Sequence, residues 1–177
     1  MDSYIVYMST PKDRHREISV ELIDELSIVH RRTPALRCYG DKELVYQRNY
    51  STQPPTIKLC SSEEYSPAEI DELDSFIPDI MLFTSNTYKL SQISNKVSGF
   101  PNLIIEIWST GNKRAERKLK QQLYATGKNI EHWYLTQHSN QVECWLDSTK
   151  LSNQTLKKPL ITTAGYYLDL TRIQVKS

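Results

Sequence analysis

Glycine is scarce in this chain: five occur in 177 residues, and none belongs to a glycine-rich loop of the kind that cradles a nucleotide phosphate. Cysteine is scarcer still. The three present, Cys38, Cys60 and Cys144, are odd in number and far apart, which argues against a disulfide framework and suits a reducing compartment. None of the four histidines stands at metal-ligand spacing from a cysteine, so the pattern offers no zinc site. No Ser-His-Asp or Cys-His order stands out as a nucleophilic constellation. Long apolar runs are also missing, so no segment is built to span a membrane. The first thirteen residues carry neither the basic n-region nor the apolar h-region of a secretory signal. A cytoplasmic protein is the expectation. The net charge of +1 points by itself to no partner.

What is present is a length suited to one domain, expected to span 1–177, with a real core. Three tryptophans and eleven tyrosines argue against disorder. Charge is unevenly spread. Glu63, Glu64, Glu69, Asp71, Glu72, Asp74 and Asp79 form an acidic block, and Lys113, Arg114, Arg117, Lys118, Lys120 and Lys128 a basic one relieved only by Glu116. Such asymmetry can set a cation-binding pocket beside an anion-binding surface; it equally describes two solvated faces of opposite sign.

Local patterns predict an α+β (α/β-like) fold around a mixed central sheet. Tyr4–Met8 reads as an edge strand, and Ser9-Thr10-Pro11 as a helix start. Ile18, Leu22, Leu26 and Val29 recur at helical spacing, giving a long amphipathic helix from about Pro11 to His30. Glu17, Glu21 and Glu25 line its flank, solvated or, near a cleft, able to join a metal site. Glu43–Tyr50 and Thr56–Cys60 read as strands, Pro67–Leu73 as a short helical turn capped by Ser66, and Pro78–Phe83 as a strand. Thr84–Phe100, rich in Ser and Asn, is expected to be a surface loop or short helix. Glu131–Leu135 and Gln141–Leu146 form a hairpin pattern, and Gly165–Leu170 a closing strand.

The chemistry concentrates in Pro101–Tyr124: a buried strand, a polar turn and a basic helix. Glu106 lies between Leu103-Ile104-Ile105 and Ile107-Trp108, where a carboxylate is costly without a cation, metal or donor. Strand parity puts Ile104, Glu106 and Trp108 on one face, so the acid has apolar neighbours on its own side. Asp79 begins an earlier strand, and if the two strands are neighbours the carboxylates meet at their ends. Two converging carboxylates suit Mg²⁺, which can support phosphate hydrolysis. Residue 108 is tryptophan, so no lysine follows two residues after the glutamate. On the helix, Ala115, Leu119 and Gln122/Leu123 mark the expected inward face, bordered by Glu116, Lys120 and Tyr124. Lys120 is the best candidate to reach Glu106, or it pairs with Glu116 on the surface. His15, at the start of the long helix, reads as a surface histidine or as a contact to phosphate or the metal site. Trp133, Tyr134, Trp145, Tyr166 and Tyr167 are expected to be core or subunit contacts.

These residues resemble the Uma2-type (DUF820) members of the PD-(D/E)XK nuclease superfamily. The matching features are Pro78-Asp79, Pro101 through Ile107, Ser109, the acid–lysine–tyrosine register of Glu116, Lys120 and Tyr124, and Glu131-His132-Trp133-Tyr134-Leu135. The turn departs from the family's Leu-Ser-Pro-Ser in being Trp108-Ser109-Thr110-Gly111, and the helix acid is Glu116 instead of aspartate. The resemblance implies a restriction-endonuclease-like core, with Asp79, Glu106 and the Ile107 carbonyl as metal ligands and Lys120 as the catalytic lysine relocated to the helix. The resulting expectation is a Mg²⁺-dependent (Mn²⁺ possible) DNA endonuclease acting on double-stranded DNA. Lys113, Arg114, Arg117 and Lys118 would position the backbone, and two-strand cutting would call for a homodimer. Secondary site candidates are His15, Glu21, Glu116 and Tyr124. The alternative is a catalytically inactive nuclease-like module that binds DNA or protein, as an accessory of a mobile-element or defence system.

Overall fold

The computed structural model describes residues 13–40, 42–53, 55–84, 87–109, 111–151 and 153–173. The edge strand expected at Tyr4–Met8 and the Ser9-Thr10-Pro11 helix start lie outside them. In chain order the elements are α1 (Asp13–Arg32), β1 (Leu36–Tyr39), β2 (Glu43–Asn49), β3 (Thr56–Leu59), β4 (Asp74–Phe76), β5 (Ile80–Thr84), β6 (Tyr88–Leu90), β7 (Lys96–Gly99), β8 (Leu103–Trp108), α2 (Arg114–Tyr124), β9 (Glu131–Thr136), β10 (Gln141–Leu146), β11 (Thr149–Lys150), β12 (Gln154–Thr155), β13 (Leu160–Ile161) and β14 (Tyr167–Leu168). Two 3₁₀ turns, Glu69–Glu72 and Thr171–Ile173, complete the described set. The first is entered through reciprocal bonds between Ser66 and Glu69, a capping box around the expected cap.

The main sheet has seven strands in the order β1-β5-β8-β9-β10-β11, with β12 also on β10. Among the described strands only β8 and β9 pair in parallel within it. That parallel pair requires a crossover, which α2 supplies. The sheet is therefore mixed, as the sequence predicts.

Period-two alternation sorts the central strands into two cores. Ile80, Leu82, Leu103, Ile105, Ile107, Trp133 and Leu135 face α1, whose Ile18, Leu22, Leu26 and Val29 are all buried against them. Met81, Phe83, Ile104, Trp108 and Tyr134 face the other way, toward Leu123 and Tyr124 of α2 and a second sheet. All six residues of β8 are buried, as befits a central strand covered on both faces.

The second sheet, β3-β2-β7-β6 with β4 on β2, corrects the expectation of a loop or short helix at Thr84–Phe100. That segment holds β6 and β7, paired antiparallel from Tyr88↔Gly99 to Leu90↔Val97. Its strands are too short and polar to show a period, and Val97 is their one fully buried aliphatic residue. Gly99, at φ +132°, lets the Thr87 carbonyl approach where any side chain would collide. β1, Leu-Arg-Cys-Tyr, lacks a clear signal in sequence and, among the described strands, pairs with β5 alone. The expected closing strand at Gly165–Leu170 is only two residues long, and it pairs with β13 outside the main sheet.

Candidate active site at the end of the central sheet

The β5–β8 register runs Ile80↔Ile105, Met81↔Ile104 and Leu82↔Leu103. Continued by one step it sets Asp79 opposite Glu106, and by two steps Pro78 opposite Ile107. Proline has no N–H to give to a ladder, and pairing stops before it. The Ile107 N–H, left without a strand partner on that side, donates to Asp79 Oδ2 at 2.6 Å. On the other side of β8 the Trp108 carbonyl accepts from Gln137 N–H at 3.1 Å. Carbonyls alternate along a strand, so that of Ile107 faces the Asp79 side, as the resemblance implies for a metal-holding carbonyl.

Glu106 is 2 % exposed. Its Oε2 accepts from Lys120 Nζ at 2.8 Å, and its Oε1 accepts a short bond from the Tyr124 hydroxyl. The i, i+4 spacing on α2 brings both donors to the same carboxylate. Lys120 Nζ also reaches toward the Ile77 carbonyl at 3.5 Å, just ahead of Pro78-Asp79. The inward face of α2 is thus Lys120, Leu123 and Tyr124, with Arg117 half-buried, while Ala115, Leu119 and Gln122 are exposed. This corrects the apolar stripe expected there. The helix offers the sheet few apolar residues, Leu123 and the ring of Tyr124, and its other ties are polar: Lys120 and Tyr124 to Glu106, and Arg117 to the Ser109 carbonyl. Phe76, from β4, packs its ring against Tyr124 (5.6 Å between centroids) and lies 6.0 Å from Lys120 Nζ.

From the opposite layer His15, near the start of α1, sets Nε2 3.2 Å from Asp79 Oδ1. It therefore belongs to the carboxylate cluster. The site straddles the sheet end, with His15 from α1 on one side and Lys120 and Tyr124 from α2 on the other.

The electrostatics follow from burial. The Glu106 carboxyl is raised to about 7, chiefly by desolvation, with Lys120 opposing, Asp79 adding to the rise and the Tyr124 hydroxyl opposing it. Tyr124 is raised well above the usual phenol range, by burial and then by Glu106. His15 is raised, chiefly by its hydrogen bond to Asp79, against the opposing effect of its own burial. Two carboxylates share this sheet end with one lysine and a histidine, a set that favours added positive charge.

Among the described residues no three His, Cys, Asp or Glu side chains are gathered as a ready-made metal cluster. The donors present are two carboxylates, a backbone carbonyl and an adjacent imidazole. They fit a hard cation that takes one or two protein carboxylates and completes its shell with water.

Other sequence candidates fall elsewhere. Glu21 ion-pairs with Arg172 (2.8 Å), and Glu25 accepts from the Asp169 N–H (2.9 Å) beside the same arginine; both hold the C-terminal segment against α1. Glu17 pairs with Arg14. Glu116 is exposed, since Lys120 turns to Glu106 instead. Most of the acidic block disperses: Glu64 pairs with Lys58, Asp71 binds Ser91 and Asp74 lies near Arg48, leaving Asp79 at the site. Lys113, Arg114 and Lys118 are exposed at and after the start of α2. Arg117 is not free in the same way: its guanidinium lies 4.7 Å from the Trp108 ring centroid and donates to the Ser109 carbonyl at 2.5 Å.

Trp108 has a structural occupation of its own, stacked on Tyr134 at 4.2 Å. Tyr134 in turn binds buried His132, whose Nε2 lies 2.7 Å from the Asp147 carbonyl. A carbonyl only accepts, so Nε2 carries the proton. Burial lowers the His132 pKa, which leaves Nδ1 to accept from the Tyr134 hydroxyl. The turn after Trp108 is closed by Asn112, whose Oδ1 accepts from Ser109 N–H at 2.8 Å. Sequence reasoning missed Phe76, the Ile77 carbonyl and this ring stack. The run Phe76-Ile77 directly before Pro78-Asp79 is the one signal that pointed to the first two.

No curated protein sequence matches the chain significantly. A crystal structure of a protein from Anabaena variabilis ATCC 29413, described as a putative nuclease belonging to DUF820, superposes with a TM-score of 0.61 at 12 % identity. The match covers 96 % of this chain and 87 % of that one, and at this identity it is a likeness of fold. Residues 2–160 match the family model Uma2, described as putative restriction endonuclease. The chain belongs to the Uma2 family.

Proposed function

We propose that this protein is a divalent-metal-dependent DNA endonuclease, with Asp79, Glu106 and the Ile107 carbonyl as the cation's ligands and Lys120 as the lysine that serves the reaction. The observation that carries the reading is the meeting of Asp79, Glu106 and Lys120 from three separate elements at one sheet end. Mg²⁺ is the expected ion and Mn²⁺ a substitute; when bound, it supplies charge neutralisation at the scissile phosphate and acidifies water. Lys120, already directed at Glu106, is within reach of a phosphate beside that carboxylate, where it stabilises developing negative charge. Tyr124 holds the second oxygen of Glu106 and fixes the carboxylate's orientation. His15 and the Ile107 N–H do the same for Asp79. Because ligand carboxylates bind a cation in their ionised form, the raised Glu106 makes metal loading weaken below about pH 7. Double-strand cutting would use two copies, so a homodimer is the proposed active form.

The test is cleavage of plasmid, linear duplex and single-stranded DNA with Mg²⁺ and Mn²⁺, run beside Asp79→Ala and Glu106→Ala. Loss of cleavage in both variants is expected; unchanged activity in either overturns the assignment. The bonds of Glu106 to Lys120 and Tyr124 favour one rival reading, a non-catalytic nuclease-like module in which the acid is a structural tie for α2. Calorimetry separates the two, since that module would bind neither Mg²⁺ nor Mn²⁺ through Asp79 and Glu106.

A further inference from the structure

β9 runs parallel to β8, so its C-terminal end lies at the same end of the sheet as Glu106. The turn leading into β10 follows there, and Gln141, the first residue of β10, pairs with Thr155 of β12. Between that turn and the segment after β12 lies an open cavity of about 870 Å³. Ser139, Gln141, Asn153, Thr155, Lys157 and Lys158 supply most of its chemistry, and among the described residues no Asp or Glu lines it. Its walls are fixed by backbone bonds: Leu156 N–H donates to the Asn140 carbonyl at 2.7 Å, and Gln154 exchanges two 2.9 Å bonds with the main chain of Ile161. Lys157 and Lys158 are exposed and enter no ion pair among the described residues.

The cavity joins the site through short links. Gln137, one residue before the cavity wall begins, donates from its N–H to the Trp108 carbonyl, and its own carbonyl accepts from Arg14, the neighbour of His15, at 3.4 Å. From β8 to β12 is three strand spacings, about 15 Å. That is some four base steps of a duplex, at about 3.4 Å per step along one strand.

We propose that this cavity is a nucleic-acid backbone subsite, in which Lys157 and Lys158 neutralise phosphates of the substrate strand a few nucleotides from the scissile one, while Ser139, Gln141, Asn153 and Thr155 donate hydrogen bonds to phosphate and sugar. Arg and Lys beside short polar side chains are the groups that hold a phosphate backbone without reading sequence. The inference rests on the nuclease reading for its substrate, but it fails separately. Lys113 and Arg114 start α2 at the same sheet end, so the bound strand runs from them across Asp79 and Glu106 to the cavity.

The experiment measures fluorescence anisotropy of a labelled duplex, and of its separated strands, with the full chain in EDTA across a salt series. It compares wild type with Lys157→Glu/Lys158→Glu. Arg31→Glu/Arg32→Glu is the control: the same charge change at exposed positions about 24 Å further along α1 from His15. The expected result is affinity lowered on the order of tenfold or more in the lysine variant, a salt slope smaller by about two, and little change in the control. Equal losses in the two variants, no loss in the lysine variant, or no nucleic-acid binding by wild type overturns the subsite. Cleavage with Mg²⁺ then separates the two proposals. An enzyme whose KM is unmoved by the lysine variant remains a nuclease without this subsite. A protein that binds through these lysines yet never cleaves retains the subsite and loses the nuclease reading.

Discussion

Replacing Glu106 by glutamine gives the sharpest test of the site's electrostatics, because it can be read without any substrate. The Glu106 carboxyl is raised from an ordinary 4.5 to about 7 in the folded protein. Between those values the folded state keeps a proton that the unfolded chain has released, so stability falls as pH rises through that window. At about 1.4 kcal/mol for each pH step, the ionised acid costs roughly 3 kcal/mol once pH exceeds both values. Glu106→Gln has no such ionisation. Its side-chain carbonyl still accepts from Tyr124, and Lys120, released from its partner, has a path to solvent. Urea unfolding in EDTA at pH 5 and pH 8 should therefore show wild type losing about 2.5 kcal/mol more than the variant over that interval, the rest of the cost having fallen below pH 5. For a chain of this size the loss corresponds to roughly 5–10 °C in Tm. Mg²⁺ should recover part of it at pH 8 in wild type only. Wild-type and variant stabilities that run parallel from pH 5 to pH 8 would falsify the picture of a buried, under-compensated carboxylate.

Three further outcomes are expected. Tyr124→Phe removes a hydrogen bond to a buried charged acceptor and should cost about 1.5–3 kcal/mol; it should also raise the Glu106 pKa further, as read by the pH dependence of unfolding, and an unshifted profile would place the hydroxyl elsewhere. Asp79→Asn should lower the His15 pKa, followed by NMR of the imidazole in metal-free protein, because Asp79 is the main group raising it; an unmoved titration would mean that the two are apart in solution. Glu131→Ala strands the buried Trp133 Nε1–H and releases the Thr163 N–H and hydroxyl, which belong to an exposed residue and can turn to water, and should cost about 1–3 kcal/mol. Metal affinity of the variant that does fold should match wild type, and a large loss would move Glu131 into the site.

The features legible in sequence were those written in a period. The α1 stripe, the two faces of β8 and the β9–β10 hairpin follow from spacing alone, because each element buries a long stretch against one neighbour. Glu106 was legible for the same reason: a charge stands out in an apolar strand. The second sheet was not, since β4, β6 and β7 are three or four residues each and owe their place to pairing with β2 and with each other, which no local pattern encodes. The inward face of α2 was misread because the expected apolar stripe gave way to a polar tie, with Lys120 and Tyr124 drawn in by a buried acid and Leu119 left exposed. His15 was legible only as a secondary candidate, by its place at the start of the long helix. Its partner is 64 positions away in sequence, and only the packing of α1 across β8 brings the two together.

Among the described residues, the three most buried acids separate structure from chemistry. Glu25 accepts from the Asp169 N–H and lies beside Arg172; Glu131 accepts from Trp133 and twice from Thr163. Glu25 shares Arg172 with the carboxylate of Glu21, Glu131 has no second carboxylate among its bonds, and each ties two pieces of chain together. Glu106 also ties two elements, but Asp79 shares its sheet end and raises its pKa. A fold that needed only a strut there would gain by replacing one of the acids with an amide. Keeping both, with pairing of β5 halted at Pro78 and the Ile107 carbonyl facing the gap, places two carboxylates at one sheet end, where the proposed cation would offset their charge. The same cation would release Lys120 from part of its duty to Glu106. In the metal-bound protein, holding the cation and freeing the lysine for a phosphate would be two consequences of one electrostatic demand, and Glu106→Gln should separate them: Lys120 is released while the cation loses a ligand.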